Sequence, residues 1–567
     1  MTSTTSHPMS PDRPPRKPPR RVRAMRRTLR GMPAAPYRVA YEADLRIPAA
    51  DGSPLVADHY FPAAPGDFPT LLLRSPYGRG FPWSSMYGLA FAEHGFHVVL
   101  QSCRGTGGSG GTFALWHNEA ADGQSTLAWL REQPWFTGVL GTIGSSYLGY
   151  TQWATALDPP PELRAMVFHA GLHDPHAYFH AGGVFHLENA LATTAGFLHQ
   201  HRSNWRFVKA AIRLQRTLRR VARTLPLSDA CALGLGERVP FLEGALAHPD
   251  AADPHWAGAD AGRAADTLSV PTLLVAGRHD VMFEQNLGQY HRLRRAGCET
   301  ALLVGPWTHA SMLQQGWPEV FADSLAWLRA HLYDDRSTLR ESPVRVHVGG
   351  ADDWRDLPEW PPVDAAAQRR YIAADGALSD RPDPASAPLT LRYDPADPTP
   401  SVGGATLSPK AGPRDNTALE ARDDVLIFTT PPLTEPLEVC GPVLAELYAA
   451  TGTDHIDVFA RLCDVDERGR STNVCDGILR LTPNGSSPAR VVVVLSATAY
   501  RFAAGHRMRL QLSGGAHPRF ARNTGSGEPA HTAREIVPTS VALYPDSALV
   551  LSVVPTRTPD GRPVDRP

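Results

Sequence analysis

Between the apolar run Val139 to Ile143 and the helix-like stretch Tyr147 to Leu157 stand Gly144-Ser145-Ser146-Tyr147-Leu148-Gly149. A strand that runs through small residues directly into a helix puts Ser146 on a tight turn with its hydroxyl aimed away from the backbone, which is how a nucleophilic serine is presented at the end of a buried strand. The spacing is irregular. Leu148 stands two residues after the serine, where glycine is usual, and the glycine comes one later. Gly-Ser turns are also common punctuation, so the serine needs partners further along the chain.

Both partners are present in the order Ser, Asp, His that α/β-hydrolases use. Thr272 to Ala276 reads as a buried strand and leads into Gly277-Arg278-His279-Asp280, placing Asp280 on the loop at its carboxyl end. Glu284 to Ala296 reads as a helix that stops at Gly297. A second strand, Ala301 to Val304, runs into Gly305-Pro306-Trp307-Thr308-His309, so His309 holds the equivalent place one βα unit later. A serine hydroxyl needs a neutral imidazole to take its proton, and the imidazole needs a carboxylate to fix its tautomer and balance its transient charge. Singly, Asp280 and His309 read as an ordinary loop acid and loop histidine; together and in order they read as a triad with Ser146.

The anionic intermediate of such a reaction needs donors. The Tyr147 N–H, next after the nucleophile, is one. Thr70 to Arg74 leads into Ser75-Pro76-Tyr77-Gly78-Arg79-Gly80, so the Tyr77 phenol is a candidate for the other, against the alternative that it packs its loop.

With these residues in hand the chain resembles the cocaine-esterase-like and X-prolyl dipeptidyl peptidase group of serine hydrolases (the CocE/NonD type), which includes α-amino-acid ester hydrolases. The resemblance runs from Tyr41 to Val554 through Asp51-Gly52, Arg74 to Tyr77, Gln101 to Gly105, Gly144 to Trp153, Gly277 to Asp280 and Gly305 to His309. It continues through Val346 to Trp360, Val402 to Gly404, Asp423 to Pro432, Thr453 to Leu462 and Asn523 to Gly525. It implies Ser146 as nucleophile, Asp280 and His309 as its partners, and the Tyr77 hydroxyl with the Tyr147 N–H as oxyanion hole. The Leu148-Gly149 order is how this group writes its elbow. The resemblance further implies an esterase, an α-amino-acid ester hydrolase or an X-Pro dipeptidyl aminopeptidase, and a C-terminal jelly roll.

At 567 residues the chain is long enough for about three or four units of ordinary size. The 56 basic and 57 acidic residues nearly cancel, so no global charge draws the protein to nucleic acid or acidic surfaces. The basic residues nevertheless crowd before Gly31, at Arg13, Arg16, Lys17, Arg20, Arg21, Arg23, Arg26, Arg27 and Arg30, among prolines. Residues 1–33 are therefore expected to form a disordered basic tail, without the apolar stretch of an export signal. No run reaches the roughly 18 apolar residues of a membrane span. Cys103, Cys231, Cys298, Cys440, Cys463 and Cys475 lack metal or disulfide spacing. The expected protein is cytoplasmic, uses no cofactor or metal, binds neither nucleic acid nor membrane, and is compatible with a homodimer.

From residue 34 to 171 short apolar runs (Thr70 to Leu73, Phe96 to Leu100, Val139 to Ile143, Met166 to Phe168) alternate with helical pattern such as Ala121 to Gln133, which argues for a largely parallel sheet. Residues 172–255 read as an all-helical cap, with a helix over Trp205 to Leu225, and residues 256–342 return to the first pattern. Caps of this kind build pocket walls. Residues 343–567 read as a β-sandwich, from β-branched runs such as Val344 to Val348, Val425 to Thr429, Ile456 to Leu462, Val491 to Leu495 and Met508 to Leu512. The fold class is thus α/β, an α/β-hydrolase domain with a helical cap followed by an all-β jelly roll.

Three other signals carry less. Arg104 to Gly111 is glycine-rich but lacks the ending of a phosphate loop and reads as a flexible loop. His169, His173, His176, His180 and His186 lack an accompanying carboxylate pattern and read as pocket lining in preference to metal ligands. Asp464 to Gly469 lacks the ligands of a calcium loop. Gln152 and Trp153 after the serine, and Met282 and Phe283 after Asp280, are candidates to touch substrate, with core packing the plainer role for Trp153. The function expected is a serine hydrolase cleaving a carboxylic ester or acyl amide, with the exopeptidase as runner-up and an inactive binding scaffold as the alternative of another class. Its substrate would be a small ester, amide or short peptide.

Overall fold

The computed structural model describes residues 16–200, 216–383, 385–452 and 454–555. The chain divides into two compact units, one of residues 1–114, 118–167 and 321–338, the other of residues 115–117, 168–320 and 339–567.

In the first unit β1 (Val39–Pro48), β2 (Pro54–Pro62), β3 (Thr70–Ser75), β4 (His97–Ser102), β5 (Leu140–Ser145) and the start of β6 (Leu163–His169) lie in the order β1-β2-β4-β3-β5-β6. β1, β2 and β4 pair antiparallel; β3 pairs parallel with both β4 and β5. Every residue of β3, β4 and β5 is buried, which is why these strands read as unbroken apolar runs: a parallel strand covered on both faces has no polar side. Helices Glu119–Arg131 and Tyr147–Thr155 follow β4 and β5.

Two expectations fail in this unit. The basic segment is not wholly disordered: residues 20–26 form a helix, Arg26 pairs with Glu93 at 2.8 Å, and the Ser85 hydroxyl donates to the Val22 carbonyl at 3.2 Å. The ordering partners are remote in sequence, so composition alone misses them; residues 1–15 lie outside the described residues. The Arg104 to Gly111 loop is pinned as well. Arg104 grips Asp122 through Nε and Nη2 at 3.1 and 2.5 Å, and the Ser109 hydroxyl bridges the Ser102 carbonyl and the Val56 N–H at 2.9 Å each.

The second unit opens with the segment expected to be all helical. It carries helices Pro175–Phe179, Leu187–Gln200, Leu227–Leu235 and Pro240–Ala247, and residues 216–222 are helical. Most of the expected helix Trp205 to Leu225 lies outside the described residues. The segment also holds a small hairpin, β7 (His180–Ala181) against β8 (Val184–Phe185), a departure from an all-helical cap. Gly182 and Gly183 make it feasible, with φ of 53° and 80°, the left-handed pair that a two-residue hairpin turn requires.

β9 (Thr272–Gly277), β10 (Thr300–Gly305) and β11 (Val344–Val348) then pair parallel, and β12 (Asp353–Leu357) closes antiparallel on β11. Beyond them β13 (Ala366–Ile372), β14 (Leu378–Ser379), β15 (Leu389–Tyr393), β16 (Val425–Thr429), β17 (Leu437–Ala450), β18 (Ile456–Val465), β19 (Ser471–Leu481), β20 (Ala489–Phe502), β21 (Arg507–Ser513), β22 (Thr539–Leu543) and β23 (Ala548–Val554) form two sheets. One has the order β14-β13-β23-β17-β22-β15 with β20 on β17, the other β16-β21-β18-β19. Leu391, Val443, Leu447, Ile456, Leu462, Leu510, Leu512 and Leu549 fill their core. The class expected from the sequence, α/β followed by an all-β sandwich, is the class observed.

Candidate active site

β5 ends at Ser145, helix Tyr147–Thr155 begins two residues later, and Ser146 between them has φ 57° and ψ −122°. A non-glycine residue in that region stores strain that the surrounding structure must hold, here for a hydroxyl standing clear of strand and helix. The irregular spacing has a steric cause. A Cβ on Gly144 would meet the Leu148 Cβ at 2.5 Å, so a bulky side chain two residues past the serine is accommodated by the glycine two residues before it.

The Tyr77 hydroxyl lies 3.4 Å from the Ser146 Oγ, and the Tyr77 ring stacks on Trp83 with centroids 5.5 Å apart. Burial pushes the Tyr77 phenol up, and hydrogen bonds with Ser146 and the Tyr147 N–H work the other way; the net shift is upward, so the group stays a neutral donor. The Tyr77 hydroxyl thus meets both the Ser146 hydroxyl and the Tyr147 N–H.

The second unit holds the other two predicted residues. The His309 Nδ1 is 2.9 and 3.1 Å from the two Asp280 oxygens, and Asp280 also accepts the Met282 N–H at 2.8 Å. Thr308 caps the short helix His309–Met312 in a capping box with Ser311, which fixes the backbone entering the histidine. Burial opposes charge on His309, but the Asp280 charge and hydrogen bond outweigh it and raise its pKa. Neighbouring His279 is pushed down to about 3 by burial and Arg278. Gly277, Gly305 and Gly316 leave the space Trp307 occupies: a Cβ at any of them would come within 2.4 Å of it.

The four candidate substrate contacts are all buried. Gln152 spends its amide on the scaffold, donating to the Leu148 and Val167 carbonyls at 3.3 and 3.2 Å and accepting from the Thr142 hydroxyl at 2.8 Å. Trp153 is among the largest fully buried side chains, which suits the plainer role of core packing. Met282 and Phe283 are buried at the start of helix Phe283–Arg295. The histidines are spoken for separately: His173 meets the Gln289 amide, His176 the Pro249 carbonyl and His180 the Ala245 carbonyl, while burial pushes His169 and His186 down to about 3. No group among the described residues could hold a metal ion.

A pair absent from the sequence reading lies behind the serine. Arg74 in β3 and Glu119 at the start of helix Glu119–Arg131 are each only 3% exposed and joined at 2.8 Å, and the other Glu119 oxygen accepts from the Tyr147 phenol at 3.1 Å. An arginine inside a buried apolar strand, Thr70-Leu71-Leu72-Leu73-Arg74, is the signal that a buried acid must answer it.

Fold and serine turn together define a serine hydrolase of the α/β-hydrolase class. The X-Pro dipeptidyl-peptidase (S15) family matches residues 51–311, and the X-Pro dipeptidyl-peptidase C-terminal non-catalytic domain matches residues 338–548. Cocaine esterase of Rhodococcus sp. (strain MB1 Bresler) is 32% identical over 540 residues, 87% of this chain and 93% of that protein. Among solved structures, an aminopeptidase from the marine sediment archaeon Thaumarchaeota archaeon is similar at TM-score 0.77 and 21% identity over 97% of this chain and 99% of its own. An α-amino acid ester hydrolase is similar at TM-score 0.77 and 21% identity over 93% and 99%. The chain belongs to this family of serine hydrolases, which joins cocaine-esterase-like enzymes and X-Pro dipeptidyl peptidases. The alternative of an inactive binding scaffold falls with that membership.

Proposed function

We propose that the protein is a carboxylesterase that works through Ser146, His309 and Asp280 by way of an acyl-enzyme. The observation that supports it most is the Tyr77 hydroxyl 3.4 Å from the Ser146 Oγ, on a turn held at positive φ. The neutral His309 imidazole takes the serine proton at Nε2 as Oγ adds to the ester carbonyl. Asp280, bonded at Nδ1, holds the tautomer and balances the imidazolium. The oxyanion accepts from the Tyr77 O–H and the Tyr147 N–H. The imidazolium then gives its proton to the departing alcohol as the carbon–oxygen bond breaks, leaving acyl-Ser146. Water, losing a proton to His309, adds to that ester, and the acid leaves as Ser146 regains its proton.

An ester is favoured over a peptide because the relative matched over 93% of its own length is named a cocaine esterase. The S15 match over residues 51–311 supports the second reading, removal of X-Pro dipeptides. The reading includes a cytoplasmic location, which the free thiols of all six cysteines support. Replacing Ser146→Ala should abolish turnover of short p-nitrophenyl esters, and retained turnover would reject the proposal. Cleavage of an Ala-Pro-anilide at rates comparable with esters would select the second reading.

A further inference from the structure

The two donors assigned to the oxyanion sit on different elements, Tyr77 just past β3 and Tyr147 at the head of its helix. A donor pair works only while its spacing is held, since preorganisation is what makes such a site outperform water. One buried group connects both elements. The Arg74 side chain, three residues before Tyr77, donates through Nη2 to a Glu119 oxygen at 2.8 Å, through Nη1 to the Glu119 carbonyl at 2.5 Å, and through Nε to Gln101 at 3.0 Å. The Arg74 carbonyl accepts from the Thr151 hydroxyl at 3.1 Å, one turn along the helix that Tyr147 begins. The second Glu119 oxygen accepts from the Tyr147 phenol at 3.1 Å.

We propose that Arg74 and Glu119 are positioning residues for the oxyanion hole, holding the Tyr147 phenol to the strand that delivers Tyr77 so that the two donors keep a fixed separation. This rests on the assignment of Ser146 as nucleophile. The arrangement suits positioning better than stability, because a buried ion pair costs about as much to desolvate as it returns and is often replaceable by apolar residues without loss. Its geometry is also specific: the arginine fork is planar and is engaged at all three of its nitrogens, so neither the carboxylate nor the strand can rotate independently. Burial raises the Glu119 pKa, and the Arg74 charge and the Tyr147 hydrogen bond oppose it, so the carboxylate relies on both groups that it joins.

Tyr147→Phe removes the phenol and leaves the Tyr147 N–H, Tyr77 and the ion pair in place. Active sites are counted by fluorophosphonate titration, so misfolded protein drops out of the rate. The expected result is a fall in kcat per titrated site of about tenfold, with KM for a p-nitrophenyl ester within about twofold and a parallel loss in affinity for a phenylboronic acid, whose tetrahedral adduct needs the same donors. Unchanged kcat per site and unchanged boronate affinity would overturn the proposal, as would an equal rise in KM and in the boronate constant, which marks a loss of ordinary binding. If Tyr147→Phe does not fold, Arg74→Lys, which keeps the charge and loses the fork, carries the same test. Failure of the underlying assignment looks different: wild-type protein would then not be labelled at Ser146 at all.

Discussion

On the serine side the proposed nucleophile stands at φ 57°, between a glycine whose added Cβ would crowd Leu148 and a helix tied to the sheet by buried hydrogen bonds. On the histidine side the proposed base begins a four-residue helix after a loop, its side chain 20% exposed, and is held by the Asp280 carboxylate. The first half is shaped by sterics and backbone strain, the second by charge. That division follows from the work each does. A serine hydroxyl needs chiefly placement, whereas an imidazole gains and loses a proton twice per cycle and needs a partner that responds to charge.

Breaking each half by its own physics sharpens the contrast. The largest loss is expected from Ser146→Ala, about 10⁶-fold in kcat, because no other group can take the acyl chain. Asp280→Asn should follow at about 10⁴-fold, since an amide cannot hold the productive tautomer. It should also move the pH profile. The raised pKa of His309 means that the active, neutral imidazole is lost as pH falls through a value above that of an ordinary histidine, and kcat/KM falls with it. Without the Asp280 charge only burial remains, so the acid limb should shift to lower pH in Asp280→Asn, measured as kcat/KM against pH. An unmoved limb would mean that another group titrates. Tyr77→Phe should be smaller, roughly 10²–10³-fold in kcat with KM nearly constant; no loss would reduce Tyr77 to a stacking partner of Trp83.

How much of this was legible in the sequence follows the same division. β3, β4, β5, β9 and β10 were readable because strands buried on both faces show runs of mostly apolar residues, and the serine turn because strand, small residues and helix are contiguous. β1 was missed because half of it faces outward, with buried and exposed residues in no clean alternation. The Arg74–Glu119 pair joins two segments remote in sequence, and the helix was expected to begin at Ala121, which left Glu119 in a loop. The helix Arg20–Arg26 was missed for a like reason: its composition argues for a solvated segment, and Glu93 and Ser85, which help to order it, are remote in sequence. Local periodicity carries elements, while contacts that close over long sequence separations leave at most a lone charge such as Arg74 in an apolar run, which does not name its partner.

The smallest effect expected is the one that isolates sterics. Gly144→Ala places a Cβ where the Leu148 Cβ already lies 2.5 Å away, and since neither atom can rotate aside, strand and helix must separate. Overpacking of this kind costs about 1–3 kcal/mol, to be read as a lowered melting temperature. If the strain is local to this pair, the second substitution Leu148→Gly in the same chain, which restores the commoner spacing around the serine, should recover most of the lost stability and of the kcat per titrated site. Recovery of neither would mean that Gly144 is needed for close packing against something other than Leu148, and the histidine side, which neither substitution touches, offers the control: kcat/KM against pH should keep the same acid limb in both variants, because His309 still answers to Asp280.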